Sequence, residues 1–342
     1  MTPGKCSRSL PRCATLATVL AISAFTAVSC VRAVPRLVTA VPRLVTDNPS
    51  AVDIAQLWQE PLDLASRDLF YGPGGKALAP EAATPFTFVS AESGGYSPGY
   101  DVRDPDGRLW DVKLGPEAQT EVVVSRVLWA VGYHQLPTYY LPSWTMAGTQ
   151  SGPQQGGRFR PDLADYKAVD TWSWYENEFM AAQPFKGLIV ANVLLNNWDW
   201  KTSNNRVYHV EAPDRPGTRR LYVVRDLGAS LGRTSLSPLL RPFRIEAVKQ
   251  GSRNDIDGFE SQGFIEKVAG DRVSFHYRGI HGPLLNTVSP QDVAWICTLM
   301  SRLSDAQWND AFRAAGYSSE QSRRYVAKIK SKIAEGLSLT RS

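Results

Sequence analysis

Leu188-Ile189-Val190-Ala191-Asn192-Val193-Leu194-Leu195 runs directly into Asn196-Asn197-Trp198-Asp199-Trp200-Lys201-Thr202-Ser203-Asn204-Asn205. The first run reads as a buried helix, and the second as a loop rich in acid and amide side chains. Two β-patterned runs follow, residues 206–210 and 220–224, separated by Ala212-Pro213-Asp214-Arg215-Pro216-Gly217. Pro and Gly are turn formers, so the pair reads as a hairpin. Arg225-Asp226-Leu227-Gly228 comes straight after its second strand. The order is buried helix, polar loop, hairpin, then Asp-x-Gly.

That order resembles the catalytic core of the protein-kinase-like superfamily, in which a loop Asp is followed five residues later by an Asn and, after a strand pair, by an Asp-x-Gly. Asp199, Asn204 and Asp226 stand at those positions. Trp198 replaces the Arg that usually precedes the loop Asp, and the Asn197-x-Asp199 start looks more like HipA-type and phosphoinositide-kinase relatives. The resemblance implies an α+β, two-lobed protein-kinase-like fold, with a small β-rich N-lobe and a larger helical C-lobe. It implies Mg2+ and ATP or another nucleotide as cofactors, and transfer of a phosphoryl group to an unidentified hydroxyl acceptor. Asp199 would then take the acceptor's proton as the catalytic residue, while Asn204 and Asp226 would hold the metal.

Upstream, Phe86-Thr87-Phe88-Val89 is strand-like, Ser93-Gly94-Gly95-Tyr96-Ser97-Pro98-Gly99 is a loop, and residues 100–103 form a second strand. Asp104-Pro105-Asp106-Gly107 supplies a turn before a third strand over residues 108–114. Gly94, Gly95 and Gly99 would let backbone amides approach phosphates without side-chain obstruction. Lys113 ends the third strand and shares a face with Leu109 and Asp111. A helical stripe of Val124, Val127, Leu128 and Val131 follows. By the resemblance, Lys113 holds the nucleotide phosphates and is held by Glu121 on that helix. Glu117, one turn earlier on the same face, also qualifies. Asp111 stands where the family commonly has a small apolar residue beside adenine.

The expected organisation is a signal peptide (residues 1–29), a tether (30–49), an N-lobe with a leading helix (50–150) and a helical C-lobe holding the catalytic loop (151–342). The leading helix is expected across residues 50–71, interrupted at Pro61, with Gly72-Pro73-Gly74-Gly75 as a turn. Residues 133–142 read as a strand and residues 147–162, rich in Gly, Gln and Pro, as a linker or irregular insertion. Trp172, Trp174, Tyr175 and Phe179 read as core aromatics. Capped helical patterns cover residues 292–303, 305–315 and 318–333.

At 342 residues with 43% apolar content, the chain is long enough and apolar enough for a globular fold. Its formal charge of +5 includes Lys5, Arg8 and Arg12; without the first 29 residues, 35 basic side chains face 33 acidic ones. No clustered basic face for nucleic acid is indicated. Lys5, Arg8 and Arg12 precede an uncharged, largely apolar run at residues 14–29, which reads as an export signal. Ala27-Val28-Ser29-Cys30 resembles a bacterial lipobox, which implies acylation of Cys30 and a membrane-anchored envelope lipoprotein, with a secreted or periplasmic soluble protein as the alternative. Cys6 and Cys13 would leave with the signal, so no disulfide framework is implied. Residues 33–39 and 40–46 repeat Ala-Val-Pro-Arg-Leu-Val-Thr, a Pro-bearing spacer. The four His and Cys297 show no zinc-like spacing.

Two further readings compete with an active kinase. One is a kinase-fold protein that binds nucleotide without catalysis, consistent with the scarcity of ATP outside the cytoplasm. The other is a serine hydrolase, because Gly228-Ala229-Ser230-Leu231-Gly232 fits Gly-x-Ser-x-Gly and Asp255, Asp257, His276 and His281 follow in triad order. Pro238 and Pro242 interrupt the helix that a hydrolase needs after its serine.

Overall fold

Side-chain alternation builds the first sheet. In β3 (Leu109–Lys113) Trp110 and Val112 are fully buried, while Leu109, Asp111 and Lys113 share the opposite face. β3 pairs antiparallel with β2 (Gly99–Arg103) and with β5 (Gly152–Pro161). β1 (Phe86–Glu92) and β4 (Tyr139–Ala147) complete a closed barrel in the order β1-β2-β3-β5-β4. Its closing edge is the parallel pairing of Phe86 with Met146 and Thr87 with Ala147. Phe86, Trp110, Trp144 and Phe159 fill the interior, with the Phe86 and Phe159 rings 4.9 Å apart. Closure leaves no barrel edge open to pairing with another chain.

The computed structural model describes residues 51–92, 94, 96–149, 151–211, 218–234 and 251–340, all within one compact unit, Leu44–Ser342. The export signal, Cys30, the repeated heptapeptide and Gly95 lie outside the described residues. The fold is mixed α and β.

Residues 147–162 are not a linker. They contribute β5, which pairs with both β3 and β4. Their Gly content has a packing cause: a Cβ at Gly157 would lie 3.0 Å from Trp144 Nε1 and 3.1 Å from Phe159 Cε2. The leading helix is also shorter than its apolar pattern implies. α1 (Ala51–Leu57) stops where Trp58 pairs with Tyr133 and sends its Nε1 to Val131 O at 2.7 Å. Only short 3₁₀ turns follow before the barrel.

α2 (Glu117–Ala130) joins β3 to β4 and is buried on nearly every face, including Glu117, Glu121 and Arg126. α3 (Gln183–Leu194) is apolar all round and correspondingly enclosed. β6 (Tyr166–Asp170), β7 (Asn205–Glu211) and β8 (Thr218–Val224) form an antiparallel sheet in the order β6-β7-β8. The expected hairpin is the β7–β8 pair, with Asn205 opposite Val224. Trp172, Trp174 and Phe179 join the large apolar core, whereas Tyr175 lies at its surface.

α4 (Ile256–Ser261), the hairpin of β9 (Ile265–Ala269) with β10 (Arg272–Phe275), and α5 (Gly282–Leu285) precede three longer helices. α6 (Pro290–Ser301), α7 (Asp305–Ala314) and α8 (Ser319–Ser338) each open with a reciprocal capping box, made by Ser289 with Asp292, Ser304 with Gln307, and Ser318 with Gln321. α8 reaches back to the end of α3: buried Lys332 donates to Leu194 O at 2.9 Å and to Asn196 Oδ1 at 2.8 Å. An amine donor at a helix C-terminus meets carbonyls that have no partner within their own helix. Among the described residues no helix is long and apolar enough to cross a membrane.

Candidate functional site

The loop after α3 is held by amide side chains. Asn196 takes the left-handed conformation (φ 53°), which Asn tolerates better than most residues, and its Nδ2 donates to Gly232 O at 2.7 Å. Asn197 Nδ2 donates to Asn192 Oδ1 at 2.8 Å, and Asn197 Oδ1 accepts from the Asp199 amide at 3.2 Å. Asn204 Nδ2 closes the loop on Asp199 O at 2.7 Å. These bonds fix the Asp199 backbone, and its carboxylate lines a cleft of about 580 Å³. Lys201 Nζ lies 3.0 Å from Asp199 Oδ1. Burial raises the Asp199 pKa, against the pull of Lys201.

Lys113 projects from β3 into the same cleft. It donates to Asp226, lies 3.1 Å from Glu121 Oε2 and 3.7 Å from Glu117 Oε2. Both carboxylates that α2 offers therefore reach Lys113, with Glu121 the nearer. Glu117 has further partners: Ser97 Oγ donates to it at 2.7 Å, and Arg253 Nε lies 3.1 Å away. Burial works against the charged form of Lys113, but Glu121 and Asp226 raise its pKa overall. Burial likewise opposes ionised Glu121, yet Arg158, Lys113 and Arg160 hold its carboxyl well below the usual range.

Asp226 follows β8 with φ 56°, a conformation that costs energy for a non-Gly residue and clusters at functional sites. Two residues on, the chain passes against α2. Thr120 Oγ1 donates to Gly228 O at 2.7 Å, and a Cβ at Gly228 would lie 2.5 Å from Glu117 Cβ. The glycine of Asp226-Leu227-Gly228 is thus set by close approach, with Asp226 held opposite Lys113. Gly94 lines the cleft, while Gly99 opens β2 opposite Lys113 and leaves room for Glu92.

Several cleft residues escaped the motif-based reading. Arg158 and Arg160, buried on β5, converge on Asp111 at 3.1 Å and 3.2 Å and also on Glu121, with Arg158 Nε at 3.3 Å. Their signal was alternation about Phe159 in a segment whose composition reads as linker. Arg253 supplies a guanidinium beside Trp198. It sits 3.6 Å from the Tyr96 ring centroid and 4.7 Å from that of Trp198, bridging the β1–β2 loop and the Asp199 loop.

No protein-family model matches the chain, and no curated protein matches it significantly. Solved structures that show similarity include two kinases. The crystal structure of a Helicobacter pylori proinflammatory kinase, CtkA, has 13% identity and a TM-score of 0.40, over 75% of this chain and 97% of that one. The Rio2 kinase–ADP/Mg2+–phosphoaspartate complex from Chaetomium thermophilum has 12% identity and a TM-score of 0.30, over 72% of each chain. Both scores lie below 0.5, so the functional reading rests on the residues of the cleft.

The donor set of the cleft fits a magnesium ion. Asp226 uses one carboxylate oxygen for Lys113, and Asn204 spends its amide nitrogen on Asp199; among the described residues the second oxygen of Asp226 and Asn204 Oδ1 carry no hydrogen bond. Two hard oxygen ligands suit a cation that takes its remaining ligands from phosphate and water. The described residues contain no cluster of three or more His, Cys, Asp or Glu able to hold a metal without such help.

The hydrolase alternative is not assembled. Ser230 is fully buried and its Oγ has no hydrogen-bond partner among the described residues. The ring nitrogens of His281 contact Trp200 O at 2.9 Å and Tyr175 Oη at 3.1 Å. The Asp255 carboxylate accepts from Ser252 Oγ at 2.6 Å and from the Gly258 amide at 3.0 Å. Ser230 therefore lacks a base to activate it.

Proposed function

We propose that the protein is an atypical kinase with a two-lobed, kinase-like architecture, which transfers the terminal phosphoryl group of a magnesium-bound nucleotide to a hydroxyl acceptor. The observation that carries this reading is Lys113. One ammonium on β3 reaches both Glu121 on α2 and Asp226 beyond β8, while Asp199 and Asn204 line the same cleft.

In this reading Lys113 binds the phosphate chain, and Glu121 and Asp226 keep its charge and direction fixed. Asp199 orients the acceptor hydroxyl and receives its proton as the acceptor oxygen bonds to phosphorus and the bond to the departing diphosphate oxygen breaks. A raised pKa makes Asp199 a better proton acceptor than an ordinary surface carboxylate. Lys201 stands where it neutralises negative charge beside Asp199. Bound magnesium, held by Asp226 and Asn204, supplies charge neutralisation on the phosphates.

A binding protein without catalysis is the second reading, favoured by the direct ion pairs that Lys113 and Lys201 make with Asp226 and Asp199. The location belongs to the proposal as well: export directed by residues 1–29, followed by anchoring to a membrane through acylated Cys30. The test of the nucleotide reading is a thermal-shift titration of purified protein with nucleotide, with and without Mg2+, alongside Lys113→Ala. Wild type is expected to be stabilised only when both are present, and the variant not at all. Equal stabilisation of the two proteins would sink the reading.

A further inference from the structure

A second cavity, about 410 Å³, adjoins the cleft and shares Asp111, Arg160 and Arg225 with it. Leu109, Leu136 and Leu163 give it apolar walls, and Tyr166 and Tyr208 line it in an edge-to-face pair with centroids 6.3 Å apart. An aromatic and aliphatic slot of this kind accommodates a planar ring. Because it shares Asp111, Arg160 and Arg225 with the cleft that Lys113 and Asp226 line, a ring placed there and a phosphate chain in the cleft can belong to one molecule.

The charged groups of the slot restrict which ring fits. Asp111 and Arg160 are paired with each other at 3.2 Å. Arg225 is less committed: Nη1 donates to Tyr208 Oη at 3.1 Å, Nη2 lies 4.0 Å from Asp111, and buried Nε has no acceptor among the described residues. Asp101 accepts only from Ser90 Oγ at 2.7 Å, and the Asp162 carboxylate accepts nothing among the described residues. The slot thus offers uncommitted carboxylates, which require donors, beside a guanidinium, which requires an acceptor.

Guanine presents both kinds of group. Its N1–H and exocyclic amine donate, while O6 and N7 accept. Adenine offers a carboxylate only its N6 amine, and its N1 lone pair would face negative charge without a proton between them. A polar group that loses water on binding and finds no partner costs more than a matched one gains. We propose that this slot selects a guanine nucleotide over an adenine nucleotide, with Asp101 and Asp162 reading the donor edge and Arg225 the acceptor edge. The inference rests on the nucleotide reading above and names the base of that nucleotide.

The test is a competition assay on the purified protein with Mg2+, comparing GDP, IDP, ADP and inorganic tripolyphosphate. GDP is expected to bind at least about tenfold more tightly than ADP, because sites built around specific hydrogen bonds discriminate strongly against analogues that cannot make them. IDP, which lacks the exocyclic amine, should fall between them. The double substitution Asp101→Asn, Asp162→Asn should narrow the gap between GDP and ADP. ADP binding as tightly as GDP overturns the inference and leaves the nucleotide reading standing. Tripolyphosphate binding as tightly as GDP also overturns it, since the base would then contribute nothing. If none of the four binds, the nucleotide reading fails and this inference fails with it.

Discussion

Lys113 and Asp226 are joined directly, although 113 residues separate them and one ends a barrel strand while the other follows a sheet hairpin. The bond gives Asp226 a different task from Asp199, and the two carboxylates should respond differently to substitution. On the proposed kinase reading, Asp226→Ala removes an oxygen ligand and is expected to abolish magnesium-dependent nucleotide binding. Asp199→Asn keeps size and hydrogen bonding but cannot take a proton, so binding should persist while transfer falls by about 10²–10⁴-fold. Calorimetric binding together with a phosphate-transfer assay separates the two. Loss of binding in both variants would remove the distinction.

Gly228 passes α2 so closely that an added Cβ would lie 3.0 Å from the carbonyl oxygen of Glu117 and nearer still to its Cβ. Gly228→Ala should therefore cost about 1–3 kcal/mol through overpacking, visible as a lower midpoint in urea denaturation. It should also weaken nucleotide binding, because displacement of α2 disturbs the carboxylates around Lys113. An unchanged midpoint would contradict the close approach.

Burial of Lys332 pushes its pKa well below the ordinary value. Between that lowered pKa and the ordinary value of about 10.4, the unfolded chain binds more protons than the folded protein, so stability rises with pH. Lys332→Met has no such titration. The stability of wild type relative to Lys332→Met should increase as the pH is raised toward 10.4. Chemical denaturation of both proteins across that range checks the sign, and a falling difference would refute it.

Ser230 is enclosed, and among the described residues its hydroxyl has no partner. A fluorophosphonate probe should leave native protein unlabelled, and Ser230→Ala should leave nucleotide binding intact. Labelling of Ser230 that disappears on substitution of His276 or His281 would restore the hydrolase reading.

If Cys30 is the anchor, Cys30→Ser should move the protein from the membrane fraction to the soluble fraction without blocking export. Fractionation followed by immunoblotting reads this directly. Membrane association that survives the substitution rules out the lipid anchor.

Much of the architecture was legible because it repeats short-range patterns. β3 follows from alternation, α3 from an unbroken apolar run, and α6, α7 and α8 from their capping residues. The order of Asp199, Asn204 and Asp226 could be read in the same way, since loop and hairpin are local. What could not be read were the partners brought together by barrel closure. Arg158 and Arg160 meet Asp111 only because β5 pairs with β3, and the segment's Gly and Gln content concealed that strand. Arg253 reaches Trp198 and Tyr96 from another part of the chain, with no periodicity to announce it. The second cavity is equally non-local, as it needs β2, β3, β6 and β7 around one space.

The hold of Lys332 on Leu194 and Asn196 gives assembly of the site a timetable. Lys332 follows Asn196 by 136 residues. At a synthesis rate of about 5–20 residues per second, it is made on the order of ten seconds after the loop it secures. Until α8 has docked, Asp199 belongs to a loop whose left-handed entry lacks the hydrogen bond from Lys332. A chain still leaving the ribosome carries the residues of the cleft without the lock that sets them.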